Sequence, residues 1–279
     1  LEKNKVNIIV MTISIIAIIL IILMVMFDKN IFYFNKDHFS SKNNLDKYNK
    51  KTVWIYNNRK SAINELCINS IKTNLGKSFN IIVFNRDKIE EIVPEYVDSF
   101  AKCKSMDMFL NLLKYAVIYK YGGIWLPAET IVLKKFSIDE EPFMDKKIIF
   151  FTEKTLEHTS NFSKFSFKAI ASREKTPQVK VILDKINEQL DTFDYSFNFT
   201  KKIDNFFNVD SHIHYSPIAL NYSSSFLLSH KPNIKIDKNI AFIFIEDLEN
   251  PYYKFYLNQS KTKIINTNMF LSHLFNISK

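Results

Sequence analysis

The sequence predicts an α/β domain, an open and mostly parallel sheet flanked by helices, standing behind one transmembrane helix. Three observations predict it. Residues 6–27 carry no charge. From residue 52 onward, short apolar runs rich in β-branched and aromatic residues alternate with amphipathic helical stretches. Gly and Pro fall where those stretches end.

Lys5 and Asp28 bound the apolar run Val6 to Phe27. About 22 residues at a rise of about 1.5 Å cover roughly 33 Å, enough to cross a hydrocarbon core. A cleaved secretory signal and a buried core helix are the alternatives. Asp28, Lys29, Asn30 and Ile31 make no small-residue cleavage site, which favours an uncleaved anchor. The chain then divides into a short tail (1–5), a membrane anchor (6–27), a hydrated stem (28–51) rich in Lys, Asn, Asp and Ser, and a domain (52–279). Lys3 and Lys5 precede the anchor; Lys29, Lys36, Lys42 and Lys47 follow it. Counted alone, that bias places the domain in the cytoplasm.

A chain that is 47% hydrophobic and 15% aromatic can bury a sizeable core. The net charge is +9, but the lysines are scattered in isolated pairs such as Lys134-Lys135 and Lys201-Lys202. No nucleic-acid motif accompanies them, so the expected partner is anionic lipid or an anionic ligand and not a nucleic acid. Cys67 and Cys103 are the only cysteines, as one disulfide or two free thiols. No Cys/His cluster has zinc spacing; His212 and His214 suit one face of a strand. N-x-S/T acceptors at Asn161, Asn198, Asn221, Asn258 and Asn276 match what the Asn, Ser and Thr content gives by chance.

In order along the domain, Thr52–Tyr56 (TVWIY) reads as a strand. Ser61–Thr73 reads as a helix, with Gly76 after it, and Phe79–Phe84 as a second strand. Asp87–Val93 is a short helix ended by Pro94. Asp107–Tyr121 is a long helix, with Met106, Leu110, Leu113 and Val117 as its apolar stripe. Ile124–Leu126, Thr130–Leu133, Ile148–Thr152 and Lys168–Ser172 read as strands. Pro177–Leu190 is a helix opened by Pro in its first turn. The C-terminal third, rich in Phe, Tyr and Asn, has no pattern that places it.

Gly122 and Gly123 separate the long helix from the next strand. A glycine there supplies the left-handed cap, and a second lets the chain turn sharply into the sheet. A ligand loop is the other reading. On the helix, Lys104, Asp107, Asn111 and Lys114 fall at i, i+3, i+7 and i+10, a narrow polar line beside the apolar stripe. That line faces either solvent or a cleft holding an anionic ligand. Beyond the strand Ile124–Leu126 come Pro127, Ala128 and Glu129, at the end of the sheet where open α/β folds take ligands.

The run Lys114–Thr130, KYAVIYKYGGIWLPAET, resembles the donor-site segment of glycosyltransferases with a DxD motif, of the capsular-polysaccharide-synthesis and mannosyltransferase-like types. That pattern is D-x-x-R-Y, apolar and tyrosine residues, Y-G-G-I-Y/W, then D-x-D. The segments VWIYNN and LCINSIKTNLGKSFNIIVFN resemble the family's first strand, helix and second strand, so the likeness covers about residues 52–136. It implies a GT-A-like (Rossmann-like) fold and transfer of a sugar from a nucleotide-sugar donor to a glycan or polysaccharide acceptor hydroxyl. It also implies a divalent cation, Mn or Mg, held by the DxD carboxylates against the diphosphate.

The motif departs from that pattern at the polar positions. Asn111 replaces the aspartate of D-x-x-R, and Lys114 the arginine. Pro127 replaces the first DxD aspartate, and Glu129 the second. The resemblance implies Asn111 on the donor sugar or ribose, Lys114 on phosphate or sugar, Trp125 near the base or sugar, and Glu129 on a weakened metal. Asp107 is a substitute carboxylate, and Tyr56, ending the first strand, a nucleotide-stacking candidate. These roles require Lys114 and Glu129 to face one cleft; on opposite faces of the sheet they would not form one donor site. Family members of this kind are type II membrane proteins with a lumenal domain, against the lysine bias. The altered motif leaves a second expectation: a catalytically inactive relative that binds a glycan, a nucleotide or a partner enzyme.

Overall fold

A computed structural model describes residues 52–135, 148–155, 164–192, 213–222, 227–230, 236, 240–245, 248 and 251–279. The expected anchor and stem lie outside the described residues. Among the described residues no helix is long and apolar enough to cross a membrane. Residues 50–279 form one compact unit.

Strand β1 (Thr52–Tyr56) is buried along its whole length. Its alternating side chains feed two cores: Trp54 and Tyr56 enter one, Val53 and Ile55 the other. Helix α1 (Ala62–Leu75) follows, capped by Ser61, whose Oγ accepts the Asn64 backbone N–H at 3.1 Å. Strand β2 (Asn80–Phe84) returns parallel to β1. The expected helix at 87–93 is a 3-10 turn at Arg86–Lys88 and a single helical turn at Ile89–Ile92, and Pro94 opens another 3-10 turn. After the short helix Val97–Ala101 comes α2 (Met106–Tyr121), capped by Ser105. Met106, expected in its apolar stripe, is 55% exposed in the first turn.

Gly122 (φ 64°) and Gly123 (φ 100°) turn α2 into β3 (Gly123–Trp125), which lies parallel to β1 on the side away from β2. A Cβ at Gly123 would stand 2.4 Å from the Thr52 carbonyl oxygen, and the Trp54 indole N–H donates to the Gly122 carbonyl at 2.9 Å. The pair therefore caps the helix and lets two strands approach. It lies at the amino end of β3, away from the end that carries Glu129.

The chain continues through β4 (Thr130–Val132), β5 (Ile148–Thr155), β6 (Lys164–Ser172), α3 (Pro177–Thr192), β7 (Ile213–Tyr222), β8 (Ile240–Ile245), α4 (Pro251–Leu257), α5 (Lys261–Ile265) and α6 (Phe270–Ile277). The strands form one sheet in the order β2-β1-β3-β6-β5-β7-β8-β4. The β1–β2, β1–β3, β5–β7 and β7–β8 pairings are parallel; β3–β6, β5–β6 and β4–β8 are antiparallel. The sheet is thus parallel in its majority but mixed, because β6 and β4 run against their neighbours.

Helices α2 and α3 cover one face with Leu112, Tyr115, Val117, Ile182 and Leu183 over Trp54, Trp125 and Ile170. Helix α1 covers the other and is held twice. Its Ile68, Ile71 and Leu75 pack on β1 and β3, while Ile63, Leu66 and Cys67 pack with Ile131, Ile243 and Ile245 of β4 and β8. The edge strand β4 is also met by α1 side chains: Val132 N–H donates to Ser70 Oγ at 3.0 Å, and Asn74 Nδ2 donates to the Val132 carbonyl at 2.9 Å.

Candidate functional site

From β1 the chain crosses through α1 to β2; from β2 it comes back through α2 to β3, on the other side of β1. The two helices cover opposite faces. The carboxyl ends of β1 and β3 therefore border a topological switch point, where open α/β sheets place ligand crevices. Helix α1 also begins there, with its first backbone N–H groups directed toward the crevice end.

Three segments are laced together at this point. Asn57, the first residue past β1, accepts at Oδ1 from the Arg59 backbone N–H at 3.2 Å and from Asn64 Nδ2 at 3.2 Å. The same Asn64 Nδ2 donates to Glu129 Oε1 at 3.3 Å. Asn64 is 0% exposed, and its Oδ1 accepts from the Ser61 hydroxyl at 2.7 Å. The Glu129 turn is fixed by Thr130 Oγ1 donating to the Pro127 carbonyl at 2.7 Å and by Ile245 N–H donating to the Glu129 carbonyl at 2.9 Å. Asn57 and Asn64 escaped the reading of the sequence. Their signal was positional: one directly follows TVWIY, the other stands three residues after the cap Ser61.

On the α2 face the polar groups are withdrawn. Lys114 is 4% exposed; its ammonium donates to Asn111 Oδ1 at 3.0 Å and to the Phe167 carbonyl at 2.5 Å, and lies 4.9 Å from the Tyr115 ring centre. Phe167 precedes by three residues Ile170, the antiparallel partner of Trp125, so it stands beyond the carboxyl end of β3. Burial without an acidic partner lowers the Lys114 pKa to about 7. Along the expected polar line, Lys104 and Asp107 are exposed, Asn111 is half-buried and Lys114 is interior. The line runs from solvent into the core.

The expected shared cleft is therefore not formed. Lys114 and Glu129 both reach the carboxyl end of β3, but from opposite faces. The physical reason is that Leu112–Ile118 of α2 is buried on every side, and the lysine falls within that stretch. Trp125 (4% exposed) and Tyr56 (8%) are also enclosed on the α2 face. Trp125 meets the Phe84 ring edge-on at 6.2 Å; Tyr56 packs against Phe84 at 5.7 Å and Phe109 at 5.8 Å. The Tyr56 hydroxyl is buried with no hydrogen-bond partner among the described residues. Burial raises its pKa against the opposing charge of Arg86.

Among the described residues no three His, Cys, Asp or Glu side chains converge on a point where a metal could sit. Glu129 is the sole carboxylate of its turn, and Pro127 offers no ligand atom. One carboxylate oxygen fits a divalent cation only when a bound ligand's phosphates supply further oxygens. Cys67 and Cys103 are free thiols; Cys67 lies in α1, while Cys103 packs against the α2 core. Burial pushes both thiols up, Cys103 to about 11.

No protein-family model and no curated protein matches the sequence. In structure the chain is similar to the PaToxG glycosyltransferase, at TM-score 0.38 and 15% identity over 56% of this chain and 69% of that one. It is similar to the apo form of the glycosyltransferase GlyE of Streptococcus pneumoniae TIGR4, at TM-score 0.48 and 11% identity over 82% of this chain and 60% of that one. A third likeness is to the galactosyltransferase LgtC in complex with donor and acceptor sugar analogs, at TM-score 0.44 and 8% identity over 81% of this chain and 95% of that one. These likenesses do not assign the chain to a family.

Proposed function

We propose that the protein is a membrane-anchored glycosyltransferase that moves a sugar from a nucleotide-sugar donor to an acceptor hydroxyl in glycan or polysaccharide synthesis. One observation carries this reading. The segment that resembles a donor site reaches Glu129 at the switch point, where Asn64, itself bonded to Asn57, donates to its carboxylate.

In such a transfer the bond between the anomeric carbon and the diphosphate oxygen breaks, the acceptor oxygen bonds the anomeric carbon, and the acceptor's hydroxyl proton leaves to the departing diphosphate or to water. Negative charge gathers on the leaving diphosphate. A divalent cation, Mn or Mg, neutralises that charge when bound, and Glu129 would be its protein ligand. The N-terminus of α1 adds partial positive charge on the same side. Asn111 and Asp107 belong to the α2 side with Lys114, so this reading gives them no contact with a group held at Glu129. Lys114, Trp125 and Tyr56 are enclosed on the α2 face and are given no donor contact in this reading.

Pro127 in place of a ligand, and Lys114 drawn into the core, favour a second reading: a catalytically inactive relative that binds a glycan, a nucleotide or a partner enzyme. Donor hydrolysis over a panel of UDP- and GDP-sugars with manganese decides between them. Turnover of any donor supports the transferase. Manganese-dependent thermal stabilisation by a donor, without turnover, supports the binding protein.

The anchor is proposed at residues 6–27, as a single-pass type II protein with the domain in the lumen of the ER or Golgi if the source is eukaryotic or viral. Deleting residues 1–27 should release a folded soluble domain. Sedimentation of that truncated protein with membranes after a high-salt wash would overturn a single anchor.

A further inference from the structure

We infer that Asn64 is the positioning residue of the crevice: it sets the orientation of the Glu129 carboxylate and locks the loop after β1 to the loop after β3. The inference rests on the donor-site reading above and adds to it a residue that the motif does not contain.

Asn64 is a fully buried amide in the first turn of α1. Burying an amide is unfavourable unless its hydrogen bonds are made, and here they are made across three segments. Its Oδ1 is held by Ser61 of its own helix at 2.7 Å. With the oxygen held, the Nδ2 group is fixed in direction. It divides its protons between Asn57 Oδ1 at 3.2 Å and Glu129 Oε1 at 3.3 Å. Asn57 and Glu129 are the first polar side chains past the two strands that border the switch point.

A capping role alone would need only the Ser61 contacts, since the helix is already capped by Ser61 Oγ on the Asn64 N–H. The bond to Glu129, 65 residues away, adds nothing to the cap. What it does is occupy one carboxylate oxygen and leave the other, which makes no hydrogen bond to a described residue. A carboxylate held by one oxygen presents the second in a fixed direction, the arrangement a single-ligand cation site requires.

The test uses the full chain in detergent micelles, with manganese and UDP as the probes. Calorimetric titration gives manganese affinity at saturating UDP, and UDP affinity without metal. Asn64→Ala should weaken manganese binding at least about tenfold, the worth of a hydrogen bond to a charged group, and leave metal-free UDP binding unchanged. Glu129→Asp shortens the carboxylate arm by one methylene, and Asn64→Gln lengthens the amide arm by one. Each alone should weaken manganese binding; together they should recover most of the loss. This exchange pair decides the matter even if Asn64→Ala does not fold. Manganese affinity unchanged by Asn64→Ala, or no recovery in the double variant, overturns the inference alone. A wild-type protein that binds neither manganese nor UDP overturns the donor-site reading, and the inference with it.

Discussion

On the α2 face a lysine stands 4% exposed among Leu112, Leu113 and Tyr115, its ammonium bonded among the described residues to neutral groups. On the α1 face a glutamate stays half-exposed, touched by one buried amide. Both belong to the same continuous segment, Lys114–Thr130, and both lie at the same end of β3. The lysine is held at the expense of its own charge, and its pKa falls to about 7. The glutamate keeps access to solvent and has its direction fixed by Asn64. One group is set by its burial, the other by a hydrogen bond at one carboxylate oxygen.

The largest expected effect comes from breaking the partition between the two faces. Gly123→Ala puts a Cβ against the Thr52 carbonyl at a φ of 100°, so either β1 or β3 must shift. A loss of about 3 kcal/mol is expected, read as a lowered midpoint in guanidinium denaturation. A loss below about 1 kcal/mol would mean that the strands separate easily and that the two sites are not rigidly divided.

Lys114→Met sharpens the α2 side. The folded pKa of Lys114 lies below its ordinary value of 10.5, so the unfolded chain binds the extra proton between about 7 and 10.5. The depressed lysine therefore destabilises the wild type fully below pH 7, and that penalty fades as pH rises toward 10.5. The stability difference between Lys114→Met and wild type should shift by about 2 kcal/mol in favour of the wild type between pH 7 and pH 9. Urea denaturation at both pH values measures it. A difference independent of pH would mean that the ammonium stays charged in the core.

Glu129→Gln should barely change stability, by under about 0.5 kcal/mol, because the amide oxygen can still accept from Asn64. It should nevertheless abolish most manganese-dependent binding of UDP- and GDP-sugars. Pro127→Asp, restoring a carboxylate two residues earlier, should strengthen that binding. Calorimetric titration of wild type and both variants checks the pair; binding untouched by Glu129→Gln rules out the metal role.

How much of this was legible depended on length and symmetry. TVWIY, FNIIVF and the helices between them carry their periodicity openly, and β1, α1, β2, α2 and β3 stand within a few residues of where the sequence predicts them. The last third was not legible for physical reasons. Helices α4, α5 and α6 span at most eight residues, too short for a 3.6 period to declare itself. Strand β8, IAFIFI, is buried at every position and so has no alternation. Strand direction has no sequence signature, which is why the reversal of β6 was missed. At the site, the spacing after Gly123 located Glu129 correctly at the end of β3. The inward course of Lys114 was hidden because a helix buried all round offers no polar face to read.

The double grip on α1 also sets the order of events during synthesis. Asn74 Nδ2, near the end of α1, donates to the Ser278 carbonyl at 2.8 Å across 204 residues of sequence. The second wall of its socket, β4 and β8, includes a strand that leaves the ribosome only after residue 245. The helix that opens the crevice thus emerges early and finds its full set of neighbours late. Closing so long a loop is entropically slow. At about 5–20 residues per second, α1 waits on the order of ten seconds or more with one flank uncovered. That interval, when Ile63, Leu66 and Cys67 lack β8 to cover them, is when a chaperone or a neighbouring nascent chain has its opportunity to bind.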